Sequence, residues 1–322
     1  MATAEHIKSL IRSKFSDDTD RFHTIALQVA AHEARQGHKA LAQDIRDIID
    51  MERKKKGPKL FPFPKNIQGL VLSENPTVPL EAMVTPRNIK ERIERVIHEY
   101  RQQNKLKTHG LKHRRKILLI GPPGTGKTMS AMVLAKELHL PLHTIQVDRL
   151  VTKFMGETSA KLRQIFDMIQ QEHGVYLFDE FDAIGGDRSM ENEVGEMRRV
   201  LNSFLQFIEQ DSSDSLIIAA TNNPRLLDRA LFRRFDDVLY YDNPQEAERK
   251  SLIANVLGTF MSTNFAWKKV LQTSDGLSHA EIDHACRDAI KDAILTDRRK
   301  ISAIQLLTPL KERRLTHEGI QG

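Results

Sequence analysis

The chain has 322 residues, 40% of them apolar, a little more than two average domain lengths and enough for a large core, so a disordered chain is excluded. No apolar run reaches the roughly 18 residues of a membrane helix, and the N-terminal MATAEHIKSL lacks the charged-then-apolar order of a secretory signal, which places the protein in the cytoplasm without a membrane span. The lone cysteine, Cys286, excludes an internal disulfide and reads as a buried small side chain, and the formal charge of +6 is modest, with positive residues bunched at Arg53 to Lys56, Lys112 to Lys116 and Lys311 to Arg314.

Residues 1–56 carry apolar positions at helical spacing, through Ile7, Leu10 and Ile11, then Phe22, Ile25, Ala26 and Val29, then Leu41, Ile45, Ile48 and Ile49. They predict an N-terminal helical domain of two or three helices, with a start signal at Ser16 to Asp20 and a break near Gly37. A module of this size suits docking to a client or partner. Pro58, Pro62 and Pro64 then prevent helix and predict a linker over 57–66. Helical spacing returns from Met83 to Tyr100, with Pro86 suited to the first turn.

From residue 116 the pattern changes to short apolar runs separated by helical stretches: KILLI (116–120), LHTIQV (142–147), VYLFD (175–179), SLIIAAT (215–221) and DVLYY (237–241). Strands buried on both faces and alternating with helices predict an α/β fold around a five-stranded parallel sheet. That core is expected over 67–243. After Pro244 the apolar spacing is helical only, which predicts a small C-terminal helical lid subdomain over 244–322.

The string GPPGTGKT, Gly121 to Thr128, lies between the apolar run KILLI and the helical stretch MSAMVLAKELH. That context makes it a phosphate-binding loop: Gly121, Gly124 and Gly126 let backbone N–H groups turn inward, Pro122, Pro123, Thr125 and Met129 complete its surroundings, and Lys127 places a charge on the β and γ phosphates. Thr128 offers a hydroxyl to Mg2+. About fifty residues on, VYLFDEFD ends an apolar run in two carboxylates, at the strand end where open α/β sheets bind ligands. Asp179 would hold Mg2+ and Glu180 would orient and deprotonate a water attacking ATP.

With both motifs in place, residues 67 to 310 resemble an AAA+ ATPase of the AAA branch, a P-loop NTPase fold, and further strings narrow the likeness. SLIIAATNNP resembles the sensor-1 segment, which implies Asn222 beside the γ-phosphate, and LLDRALFRRFDD resembles the second region of homology, which implies that Arg233 and Arg234 reach the ATP of the next subunit. KFMGET resembles the pore-loop motif, which implies that Phe154, flanked by Lys153 and Met155, grips a polypeptide in a central channel. ENEVGEMRRVLNSFLQF, the RRF form and DGLSHAEIDHAC resemble the spastin- and katanin-type severing and disassembly ATPases, with Ala280 standing where other branches carry a sensor-2 arginine. VLSENPTVPLEAMVTP lacks the Asp-Ile-Gly-Gly pattern that contacts adenine in the family.

The resemblance implies a homo-oligomer, a ring of six, that uses ATP and Mg2+ to remodel or thread a protein client. A nucleic-acid loader, motivated by the basic clusters, and a ring supplying force to a separately encoded protease are the alternatives. Of the scattered histidines, none has a metal-ligand spacing.

Overall fold

The computed structural model describes residues 19–36, 41–45, 69–150, 155–182, 191–223 and 232–320, with residues 8 and 38. The chain divides into two compact units, Met1–Phe61 and Pro62–Gly322. In the first, helix α1 (Thr19–Arg35) starts within the Ser16 to Asp20 signal and buries Ile25, Ala26, Val29 and Ala30 as one stripe. Residues 41–45 are helical too, and the expected linker over 57–66 lies outside the described residues.

The second unit is organised by a six-stranded sheet in the order β1-β3-β4-β5-β2-β6. Its strands are β1 (Val71–Glu74), β2 (Lys116–Ile120), β3 (Leu142–Gln146), β4 (Val175–Asp179), β5 (Leu216–Thr221) and β6 (Asp237–Tyr240). The five expected strands pair in parallel with one another. The five-stranded count needs one correction, because β1 adds a sixth strand antiparallel to β3, pairing Val71 with Ile145. β1 is an edge strand of four residues of which only Val71 is buried, so it carries almost no apolar signal.

Period-two alternation explains why the central strands read as continuous apolar runs. Leu118, Ile120, Tyr176, Phe178, Ile217 and Ala219 face one apolar cluster, and Ile117, Leu119, Val175, Leu177, Ile218 and Ala220 face another. Helices α2 (Arg87–Arg101), α3 (Gln103–Thr108), α4 (Lys127–Leu138), the single turn α5 (Val147–Leu150), α6 (Met155–Gln171) and α7 (Glu191–Gln210) connect the strands. The first cluster is closed by α6 and α7 through Leu162, Phe166, Phe204 and Ile208. The second is closed by α2 and α4 through Ile89, Ile93, Val133 and Leu134.

After β6 come α8 (Glu246–Leu257), α9 (Trp267–Thr273), α10 (His279–Leu295) and α11 (Ala303–Ile320), which bury a third cluster including Ile253, Val270, Ile282, Cys286 and Leu306. Ser278 caps α10 reciprocally with Glu281: the Glu281 N–H donates to Ser278 Oγ, and the Ser278 N–H donates to the Glu281 carboxylate at 2.7 Å. Burial pushes the Cys286 thiol up to about 12, so it remains a protonated apolar-like side chain.

Part of the expected positive cluster at Lys112 to Lys116 is internally neutralised. Arg114 pairs with Glu99, and Arg115, just before β2, pairs with Asp211, just after α7. The Arg115 and Asp211 side chains are 7% and 0% exposed, so neither charge can fall back on water if its partner is removed. Asp211→Ala is therefore expected to cost about 3–5 kcal/mol, lowering the melting temperature by on the order of 10 °C. Thermal unfolding of the variant beside the wild type checks this, and an unchanged midpoint contradicts it.

Candidate active site

The register of two parallel strands assembles the site. β2 and β5 pair Ile120 with Thr221, so the residues that follow them, Gly121 and Asn222, leave the sheet side by side, and the Gly121 N–H donates to Thr221 O at 3.2 Å. β4 lies next to β5 on the other side and ends at Asp179. The phosphate-loop candidate, the carboxylate pair and the sensor-1 candidate thus share one sheet edge, where open α/β sheets place ligands.

Gly124 and Gly126 adopt φ of +74° and +98°, conformations that only glycine takes freely. At Gly124 a Cβ would also come within 2.7 Å of Ser278 Oγ, because the start of α10 approaches there and the Ala280 N–H donates to Gly124 O at 3.0 Å. Gly126 precedes the first residue of α4, so the loop ends at the positive end of a helix.

Lys127 is buried, and its Nζ donates to Gly121 O at 2.7 Å, Pro122 O at 2.8 Å and Asn222 Oδ1 at 2.8 Å. Burial pulls its ammonium below the ordinary lysine value, with Asp179 and Asp182 opposing the shift. The Thr128 hydroxyl donates to Asp179 Oδ2 at 2.8 Å. Beside it Glu180 has φ +50°, a left-handed conformation that costs a non-glycine residue on the order of 1 kcal/mol or more, and its side chain is exposed. Such strain is found where the surrounding structure fixes a side chain for use.

A cleft of about 1130 Å3 contains these groups. Pro123 to Met129, Asp179, Glu180 and Asn222 line it, whereas Gly121 and Pro122 meet the others through their carbonyls on Lys127. Arg233 and Arg234 do not line it; Arg233 is exposed and Arg234 meets the Glu209 carboxylate at 2.8 Å. Lys153 and Phe154 lie outside the described residues, as does the side chain of Met155, the first residue of α6.

Two parts of the site were not singled out from sequence. Asp182 accepts the Asn222 N–H at 3.2 Å, which holds the sensor-1 candidate from a second side. The rest of the cleft wall includes Val78 and Glu81 to Val84, with Asn255 from α8 and His279, Asp283, His284 and Arg287 from α10. The first wall is the very segment that lacks the adenine-contacting pattern. Only its position ahead of α2 marks it.

The residues fit Mg-ATP by their chemistry. The loop has its positive φ glycines and a buried lysine among oxygen partners, and a hydroxyl and a carboxylate meet where an oxygen-seeking cation would be held. Among the described residues no group of three or more His, Cys, Asp or Glu could hold a metal ion by itself.

Comparison with known proteins bears on the same segment. The model of the ATPase family associated with various cellular activities (AAA) matches residues 117–243. An uncharacterized AAA family ATPase of Sinorhizobium fredii, y4kL, is 35% identical over 313 residues, covering 93% of this chain and 92% of that one. The chain belongs to the AAA family of ATPases. This AAA ATPase is also 31% identical over 259 residues to the ATP-dependent zinc metalloprotease FtsH 1 of Methylacidiphilum infernorum, over 77% of its own length and 40% of that protein. The crystal structure of the FIGL-1 AAA domain matches with a TM-score of 0.62 at 24% identity, covering 80% of this chain and 91% of that domain, a likeness of fold. In the AAA ATPase described here, no helix among the described residues is long and apolar enough to cross a membrane.

Proposed function

We propose that this AAA ATPase binds and hydrolyses Mg-ATP in the cleft and uses the energy, as a hexameric ring in the cytoplasm, to remodel or thread a protein client. The observation that carries the reading is the bonded set Lys127, Asn222, Thr128 and Asp179 beneath a glycine loop at a helix start. Lys127 neutralises the β and γ phosphates, and the backbone N–H groups of Gly124 to Thr128 cradle them. Thr128 and Asp179 would hold Mg2+, which supplies charge neutralisation on the phosphate oxygens. Glu180 orients the attacking water and takes its proton, while Asn222 fixes the water's position.

Arg233 and Arg234 act on the ATP of an adjacent subunit, in keeping with their absence from their own cleft wall. The reading assigns residues 1–56 to client or partner binding, 57–66 to a linker, 67–243 to the ATPase core and 244–322 to the lid. It also places this chain among the spastin- and katanin-type relatives. The likeness to an ATP-dependent protease supports a polypeptide client. The nucleic-acid alternative is weakened by the pairing of Arg114 and Arg115 within the chain, since a charge already matched gains little from phosphate.

Phe154 tests the threading step. An aromatic side chain in a channel grips an extended chain through contact area, with no sequence requirement. Phe154→Ala is expected to keep ATP hydrolysis in the absence of client while losing client-stimulated turnover and unfolding. A Phe154 buried in the core would instead cost roughly 3–5 kcal/mol on truncation, visible as a lowered melting temperature with hydrolysis lost. A stable variant that still processes a protein client at the wild-type rate rules out the threading role.

A further inference from the structure

Polar groups on the lid side of the cleft are not explained by phosphate chemistry. His279, the first residue of α10, lines the cleft, and both its ring nitrogens are buried without a hydrogen-bond partner. Leaving two such atoms unpaired is unfavourable, and it sets the ring apart from its neighbours on the same helix: Arg287 Nε already donates to Asp283 at 2.6 Å, and Ser278 and Glu281 satisfy one another. The position next to His279 is tied to the phosphate loop by the bond from the Ala280 N–H to Gly124 O. His279 is thus held at the junction between the loop and the lid wall.

We propose that His279 is the residue that recognises the adenine base, turning an imidazole nitrogen out of the wall to hydrogen-bond the base edge when nucleotide enters. This rests on the reading of the cleft as an ATP site. Burial pulls the imidazole below its ordinary value, so at neutral pH it carries one N–H donor and one bare acceptor nitrogen and no charge. A neutral ring with one donor and one acceptor suits a neutral base, whose edge mixes an amino donor with ring-nitrogen acceptors, better than it suits a phosphate. The wall at Val78 and Glu81 to Val84 offers, apart from the Glu81 carboxylate, apolar side chains and backbone, which can pack against a base but distinguish it poorly. Base recognition through His279 couples nucleotide choice to the lid, since the residue belongs to the helix that packs on Gly124.

The test measures equilibrium binding of ATP and of three analogues, purine riboside triphosphate without the 6-amino group, 1-deaza-ATP and 7-deaza-ATP, to the wild type, His279→Ala and His279→Asn. The wild type is expected to bind at least one analogue about tenfold more weakly than ATP. His279→Ala should bind ATP about tenfold more weakly and no longer distinguish it from that analogue, and His279→Asn, which keeps a donor and an acceptor, should recover part of the difference. Melting of the nucleotide-free variants within a few degrees of the wild type shows that the lid is intact; a large drop in both variants assigns His279 to packing and overturns the proposal. Equal affinity of the wild type for ATP and all three analogues overturns it too. So does discrimination that survives His279→Ala, which would move recognition to another wall residue such as the exposed Asn255. Failure of the wild type to bind ATP at all is a different result, and it removes the nucleotide reading of the cleft itself.

Discussion

Lys127→Ala is expected to abolish ATP binding at ordinary concentrations, with affinity falling by at least about 100-fold. The buried Nζ is surrounded by three oxygen acceptors, Gly121 O, Pro122 O and Asn222 Oδ1. Removing it takes away a charge that would face the phosphates and leaves Gly121 O and Asn222 Oδ1 without their donor beside an anionic ligand, while Pro122 O keeps the Thr125 hydroxyl, so two unfavourable effects add. The apo fold is less affected, because α4 keeps its apolar contacts through Ala131, Val133 and Leu134. Nucleotide titration, with a melting curve to establish folding, checks the expectation. Wild-type affinity in a folded variant would remove the phosphate-site assignment.

Glu180→Gln should separate binding from chemistry. Its side chain is exposed and it ends no buried network, so ATP affinity should stay within a few-fold of the wild type and thermal stability should hardly change. Turnover should fall by about 100-fold or more, because an amide keeps the size of the carboxylate but cannot take a proton from water. The unusual φ of +50° supports this reading, since backbone strain at an exposed carboxylate has no packing benefit to offset it. Single-turnover hydrolysis beside equilibrium binding makes the comparison. Turnover near the wild-type rate would assign the water to another group, with Asp182 a candidate. The folded, ATP-retaining variant would also serve to capture the client.

Lys127 and Glu180 were both singled out from local strings, because the candidate phosphate loop and the strand ending in two carboxylates are each patterns of consecutive residues. The same holds for the central strands. Leu118 and Leu119 face opposite apolar layers, so each residue of KILLI must be apolar and the run stands out against its helical flanks. β1 had no such signature. An edge strand with one buried side chain needs only that Val71 find Ile145, and nothing within VLSE states this.

The sequence by itself determined the parallel sheet, the helix Thr19–Arg35 and the helices after β6, and it marked the phosphate-loop candidate and the Asp179-Glu180 pair. Each follows from local spacing, since helix and strand periods and loop glycines act over a few residues. Tertiary structure decided that Asn222 stands on Lys127 and Asp182, that Arg115 pairs with Asp211, and that His279 lines the same cleft as Lys127. These contacts join residues 40 to 96 positions apart, or a lid helix to a loop far earlier in the chain. They depend on strand order and on the packing of α10 against Gly124, and those are set by burial of whole faces, a quantity that no short stretch of residues contains.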